Sequence, residues 1–208
     1  MVREFASPVL RRSSAPGARQ GSTNDSLAQA FDVIEPGHGL RVGVMAAWLA
    51  EAGGFGIDAE VMRQAGALHD VGKLLLPPIL WSARRRLTSS ELALIRQHPA
   101  LGVGLIRASR ETVHPRVLEA VFFHHEWHDG SGYPIGLAGG AIPLSARLIG
   151  IADVVDALLS VRAYKRAWSP AEVRAHLRSL SGRQFAPDLA DLADVTFGGL
   201  LEVREDAR

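Results

Sequence analysis

The sequence predicts an all-α fold, a helical bundle. Two observations come first. From Ser26 onward apolar residues recur at helical spacing, and helix start and stop signals are frequent while strand-like alternation is scarce. The third is composition. At 208 residues, 47% hydrophobic and 22% charged, the chain can bury one core of ordinary size without staples. It has no cysteine, which excludes disulfides, thiolate zinc sites and cysteine nucleophiles together.

Residues 1–26 mix Arg, Ser, Gly and Pro without an apolar period and read as a disordered N-terminal tail. A mitochondrial-type presequence is the competing reading, weakened by poor amphipathicity. Val42, Met45, Ala46 and Leu49 form one stripe of a helix ended by Gly53-Gly54, and Asp58 caps a helix running through Val61, Ala65 and Leu68. Thr88 to Glu91 and Ser169 to Glu172 have capping-box spacing, with Pro170 suited to a first helical position. Further helices are expected from about Pro115 through Phe123, from about Ser145 through Leu159, and after Pro187. Between them, Asp129-Gly-Ser-Gly-Tyr-Pro134 is too rich in turn formers to be helical.

The formal charge is +1, with 19 basic against 20 acidic side chains after residue 26, so no broad basic footprint suggests DNA or RNA as a partner. No run reaches the ~18 apolar residues that span a membrane. A soluble, cytoplasmic protein is expected.

Seven of the eight histidines lie between His38 and His128, and His69-Asp70 and His124-His125 interrupt or end apolar helical stripes. Neutral imidazoles and carboxylates crowded at the edge of a core lack enough donors to satisfy one another, which calls for a cation. Neighbours on a helix point ~100° apart, so His69 and Asp70 are expected to serve adjacent ions. Asp70, with two oxygens, is then the natural bridge. Mixed nitrogen and oxygen ligands suit Mn, Fe, Co, Ni or Zn, and two such ions ~3.5–4 Å apart are an apparatus for in-line attack of water on phosphorus.

The text around these residues closely resembles the HD-GYP family of cyclic di-GMP phosphodiesterases within the HD phosphohydrolase superfamily. The resemblance is carried by His38-x-x-Arg41, Leu68-His-Asp-Val-Gly-Lys73, His98-Pro99, His124-His-Glu126, Asp129 to Pro134, Ala152-Asp153, Asp156-Ala157-Leu158 and Arg162-x-Tyr164. It covers about residues 30–200 and implies an HD-domain helical bundle with additional C-terminal helices, so the HD-GYP domain is placed at 27–200, with 201–208 left as a C-terminal tail.

The resemblance implies metal ligation by His69, Asp70, His98, His124, His125 and Asp153, with His38 as a further ligand. It implies that Lys73 supports the hydrolytic water or a phosphate oxygen, and that Arg162 and Lys165 grip substrate phosphates. The Gly132-Tyr133-Pro134 loop reads from its residues as a rigid turn with Tyr133 packing on the bundle, while the resemblance implies a contact near the site for substrate or a diguanylate cyclase partner. The implied activity is hydrolysis of cyclic di-GMP to pGpG, with GMP as a further stage, using two divalent transition-metal ions, Fe or Mn. The alternatives are a non-catalytic module that binds the dinucleotide or docks on a diguanylate cyclase, and an HD phosphohydrolase for another nucleotide. Some family members hold a third metal with a glutamate four residues before the first histidine, where this chain has Ile34. Glu35 is one residue out of helical register, so two metals are expected. His114 and His176 read as surface residues, and Arg84-Arg85-Arg86 as a solvated loop with a helping role in anion attraction.

Overall fold

The computed structural model describes residues 23–81, 83, 85–109, 112–161 and 166–207. Its helices are α1 (Thr23–Asp32), α2 (His38–Ala52), α3 (Ala59–Leu68), α4 (Pro78–Trp81), α5 (Ser89–Ile95), α6 (His98–Ala108), α7 (Pro115–Phe123), α8 (Leu144–Leu159), α9 (Pro170–Ser179), α10 (Pro187–Val195) and α11 (Phe197–Glu205). A 3-10 turn over Val71–Leu75 follows α3, and another over Gly139–Ala141 precedes α8. There is no sheet among the described residues, so the all-α expectation holds. The expected tail lies outside the described residues up to residue 22; α1 begins at Thr23.

The starts are set where the sequence signals stand. Asp58 accepts from the Glu60 backbone N–H, and Thr88 with Glu91 and Ser169 with Glu172 close capping boxes. Helix α2 is central and packs on α3, α8 and α11, while α7 packs on α3, α6 and α8. Val42, Met45, Ala46 and Leu49 are all buried, as their spacing requires, against Met62, Leu68, Leu148 and Ile149. Each fully buried Leu, Ile or Met contributes about 1.5–3 kcal/mol, so this packing fixes the helix ends on which the histidines stand.

Two expectations are corrected. Residues 201–205, read as tail, complete α11: Phe197 and Leu200 are buried, and buried Arg204 donates from Nε to Asp156 Oδ1 at 2.7 Å. Arg204 thus answers a carboxylate 48 residues away, a pairing that no local pattern marks. Residues 33–37 form turns and a bend between α1 and α2, so the helical register used to dismiss Glu35 does not apply there.

Candidate metal centre

Helix ends converge on Asp70. His69 caps the C-terminus of α3, and Asp70, at φ −105° and ψ 4°, opens the 3-10 turn. Gly72 in that turn meets α6 backbone to backbone, since a Cβ there would lie 2.0 Å from the His98 carbonyl oxygen. Only glycine permits that approach, which lays Asp70 against the first residue of α6. His124 ends α7, His38 begins α2, and α8 supplies Asp153 and, one turn on, Asp156.

The two oxygens of Asp70 face different partners. Oδ1 lies 3.1 Å from His98 Nε2 and 3.8 Å from His124 Nε2, whereas Oδ2 lies 3.3 Å from His69 Nε2. Asp153 Oδ1 is 3.3 Å from His38 Nε2 and 3.9 Å from His69 Nε2. Two compact donor groups result, one of Asp70, His98, His124 and His125, the other of His38, His69 and Asp70. His69 and Asp70 thus share a group, contrary to the helical argument, because helical geometry ends before Asp70.

The imidazoles are oriented from behind. Nδ1 of His69 donates to the Gly66 carbonyl at 2.7 Å, that of His98 to Ile95 at 2.7 Å, and that of His124 to Val121 at 3.0 Å. A carbonyl only accepts, so in the neutral rings each Nε2 turns a lone pair inward. His98 Nε2 and His124 Nε2 are 3.3 Å apart. Burial and the neighbouring His125, His69 and His98 hold His124 well below the ordinary imidazole range, and burial with His98 takes His125 down to about 3. Across the site the balance reverses. Burial disfavours charge on His38, yet hydrogen bonds to Asp153 and Asp156 raise its pKa to about 10, and the charge of Asp70 raises His69 against burial. Burial opposes ionisation of Asp70 as well, but Lys73 and His69 hold its pKa well below the usual carboxylate range. His69 Nε2 and Asp70 Oδ1 are buried without an aligned hydrogen-bond partner. Lone pairs facing one another beside carboxylates that attract protons form a donor set a divalent ion fits, by supplying charge to the first and displacing protons from the second.

A cleft of about 640 Å³ opens over the cluster. Lys73 reaches it from the 3-10 turn, its ammonium bonded to Asp70. Glu35, set aside on register, lines the cleft with Oε2 3.7 Å from His38 Nε2 and Oε1 3.9 Å from Lys73 Nζ. The Gly132-Tyr133-Pro134 loop belongs to the site wall. The Tyr133 ring stacks on His125 at 4.7 Å, and a Cβ on Gly132 would lie 2.3 Å from the Trp127 nitrogen, so the chain passes tightly beneath the histidines. Pro134 follows through a cis peptide. Buried Glu126 holds the loop by accepting from the backbone N–H groups of Ile135, Gly136 and Leu137. Arg162 and Lys165 lie outside the described residues.

Sequence reasoning missed the roles of Glu126 and Asp156 and misplaced Glu35. Asp156 accepts from His38 Nδ1 at 2.8 Å and from Arg41 Nε at 2.7 Å. The i, i+3 spacing from Asp153, which puts both on one face of α8, was an available signal. His114, expected at the surface, caps α7 through Nδ1, and His176 packs edge-on against Trp168.

A family model described as HD domain matches residues 55–189. The chain belongs to the HD domain family. This HD domain is 36% identical over 177 residues to "Cyclic di-GMP phosphodiesterase response regulator RpfG" of Xanthomonas campestris pv. campestris, covering 83% of this chain and 47% of that protein. It is 38% identical over 135 residues to "3'3'-cGAMP-specific phosphodiesterase 2" of Vibrio cholerae, covering 65% of this chain and 26% of that protein. The chain therefore spans less than half the length of these relatives. Among solved structures, "Bd1817, a HDG"Y"P protein from Bdellovibrio bacteriovorus" superposes with a TM-score of 0.62 at 22% identity, over 78% of this chain and 52% of that one, a likeness of fold. These findings uphold the HD-GYP resemblance read from the motifs.

Proposed function

We propose that this HD domain is a metal-dependent phosphodiesterase that opens cyclic di-GMP to pGpG. The observation that carries the reading is Asp70, whose two oxygens face two groups of histidines beneath one cleft. In this reading His38, His69, Asp70 and Asp153 hold one divalent ion, and Asp70, His98, His124 and His125 hold a second, Fe or Mn. When bound, such ions acidify water and draw charge from phosphoryl oxygens.

The chain's own residues do the rest. The Nδ1 bonds to main-chain carbonyls and to Asp156 fix the imidazoles, so ligand geometry is set before substrate arrives. The Lys73 ammonium stands at the cleft edge of Asp70, where charge grows on phosphorus-bound oxygens as water adds and the bond to the 3′-oxygen breaks. Tyr133 walls the site at His125. Arg162 and Lys165 grip a phosphate of the dinucleotide in this reading. With Tyr133 turned inward, the residue the loop offers a diguanylate cyclase is Ile135, 62% exposed. The place of action is the cytoplasm; no helix among the described residues is long and apolar enough to cross a membrane.

The test is metal loading with Fe or Mn under reducing conditions, followed by chromatography of products from cyclic di-GMP. Appearance of pGpG is expected. Binding of unchanged dinucleotide would instead favour a non-catalytic binding module.

A further inference from the structure

Among the described residues Trp81, Arg85, Arg86 and Leu87, from the end of α4 to just before α5, line the same cleft as His38, His98 and His125. Arg85 donates from Nη1 and Nη2 to Glu91 at 2.8 and 2.6 Å, and its Nη1 also reaches the Arg86 carbonyl oxygen at 3.1 Å. Glu91 in turn accepts from the Thr88 N–H and starts α5. The backbone of Arg86 is thus held between a fixed arginine and a capped helix. Arg86 lines the cleft, is exposed, and has no acidic partner among the described residues. Trp81 and Leu87 also line the cleft and give apolar surface to a planar ring. No Asn, Gln, Ser or Thr lines the cleft among the described residues.

We infer that Arg86 reads the base of the substrate and selects guanine over adenine. This rests on the phosphodiesterase reading of the site. Guanidinium offers only donors, in a fork that matches two acceptors side by side. Guanine presents such a pair, N7 and O6, whereas adenine presents N7 beside an amino group that would oppose a donor. A side-chain amide could serve adenine through its carbonyl oxygen, and none lines the cleft among the described residues. The recognised class is therefore cyclic dinucleotides with guanine at Arg86, which includes both cyclic di-GMP and a mixed guanine–adenine dinucleotide and excludes cyclic di-AMP.

The experiment compares kcat/KM of the metal-loaded full chain on cyclic di-GMP and cyclic di-AMP with that of Arg86→Ala and Arg86→Lys. The unaltered protein should prefer cyclic di-GMP. Both variants should lose about five- to a hundredfold of that preference, the change lying in KM for cyclic di-GMP, because lysine keeps the charge but not the fork. Retention of the full preference by Arg86→Lys would reduce Arg86 to a point charge and overturn the inference, as would retention by Arg86→Ala. Equal use of both dinucleotides by the unaltered protein would overturn base selection while leaving the phosphodiesterase reading in place. Hydrolysis of neither would remove both.

Discussion

His38 Nδ1 and Asp156 Oδ2 lie 2.8 Å apart, joining the start of α2 to α8 and turning His38 Nε2 toward Asp153. The same buried carboxylate accepts from Arg41 and Arg204. Asp156 is a positioning residue for His38: it belongs to neither donor group but fixes the ring of a histidine that does. Asp156→Asn should lower divalent-metal affinity about 10- to 100-fold, the usual cost of losing a partner behind a ligand. Competition against a graded chelator measures this. Unchanged affinity would assign Asp156 to stability alone.

Asp156 also sets an acid limit. Burial pushes its pKa up, but hydrogen bonds from His38 and Arg41 outweigh burial and hold it well below the usual carboxylate range. A folded value below the unfolded one, about 3.9, gives stabilisation that is complete above that value and lost as pH falls toward the folded one. The melting temperature of the unaltered protein should therefore fall below about pH 4. Asp156→Asn, less stable at pH 7, should fall less between pH 5 and 3. Parallel pH curves for the two proteins would refute this.

Glu126 holds three successive N–H groups of the loop that carries Tyr133. Glu126→Gln puts an amide NH₂ among donors and removes the charge. Hydrogen bonds to a charged group contribute about 1.5–3 kcal/mol each, so a melting-temperature loss of at least several degrees is expected. The loop amides of residues 135–137 should also exchange hydrogen faster. Protection equal to that of the unaltered protein would show that the loop is held by other contacts.

If the proposed phosphodiesterase reading holds, the Lys73 ammonium beside Asp70 faces the reacting phosphoryl group, and Lys73→Ala should lower kcat by roughly 10²-fold with a smaller change in KM. Arg162→Ala should instead raise KM by roughly ten- to a hundredfold. Steady-state kinetics on cyclic di-GMP separates the two, and a pure KM effect at Lys73 would contradict its role.

The helix ends and the donor residues were legible because each leaves a local mark: a capping box at Thr88, an apolar stripe through Leu49, a His-Asp pair at the close of α3. The arrangement around them was less so. Glu35 was misplaced by assuming one helix through residues 34–38, where the chain turns at 33–37. Arg204 was read as tail because its partner, Asp156, is distant in sequence and the pairing exists only after α11 packs on α2. Arg86 could not be told from Arg85 in a run of arginines, since the difference is which of them meets Glu91.

The most direct measurement is anomalous scattering from crystals of the protein loaded with Mn or Fe. Two peaks are expected, one among His38, His69, Asp70 and Asp153 and the other among Asp70, His98, His124 and His125, with Asp70 between them. The same data from Asp70→Ala should show neither at full occupancy, with helix content by circular dichroism unchanged. A single peak in the unaltered protein, or two peaks retained without the Asp70 carboxylate, would contradict the bridged metal centre.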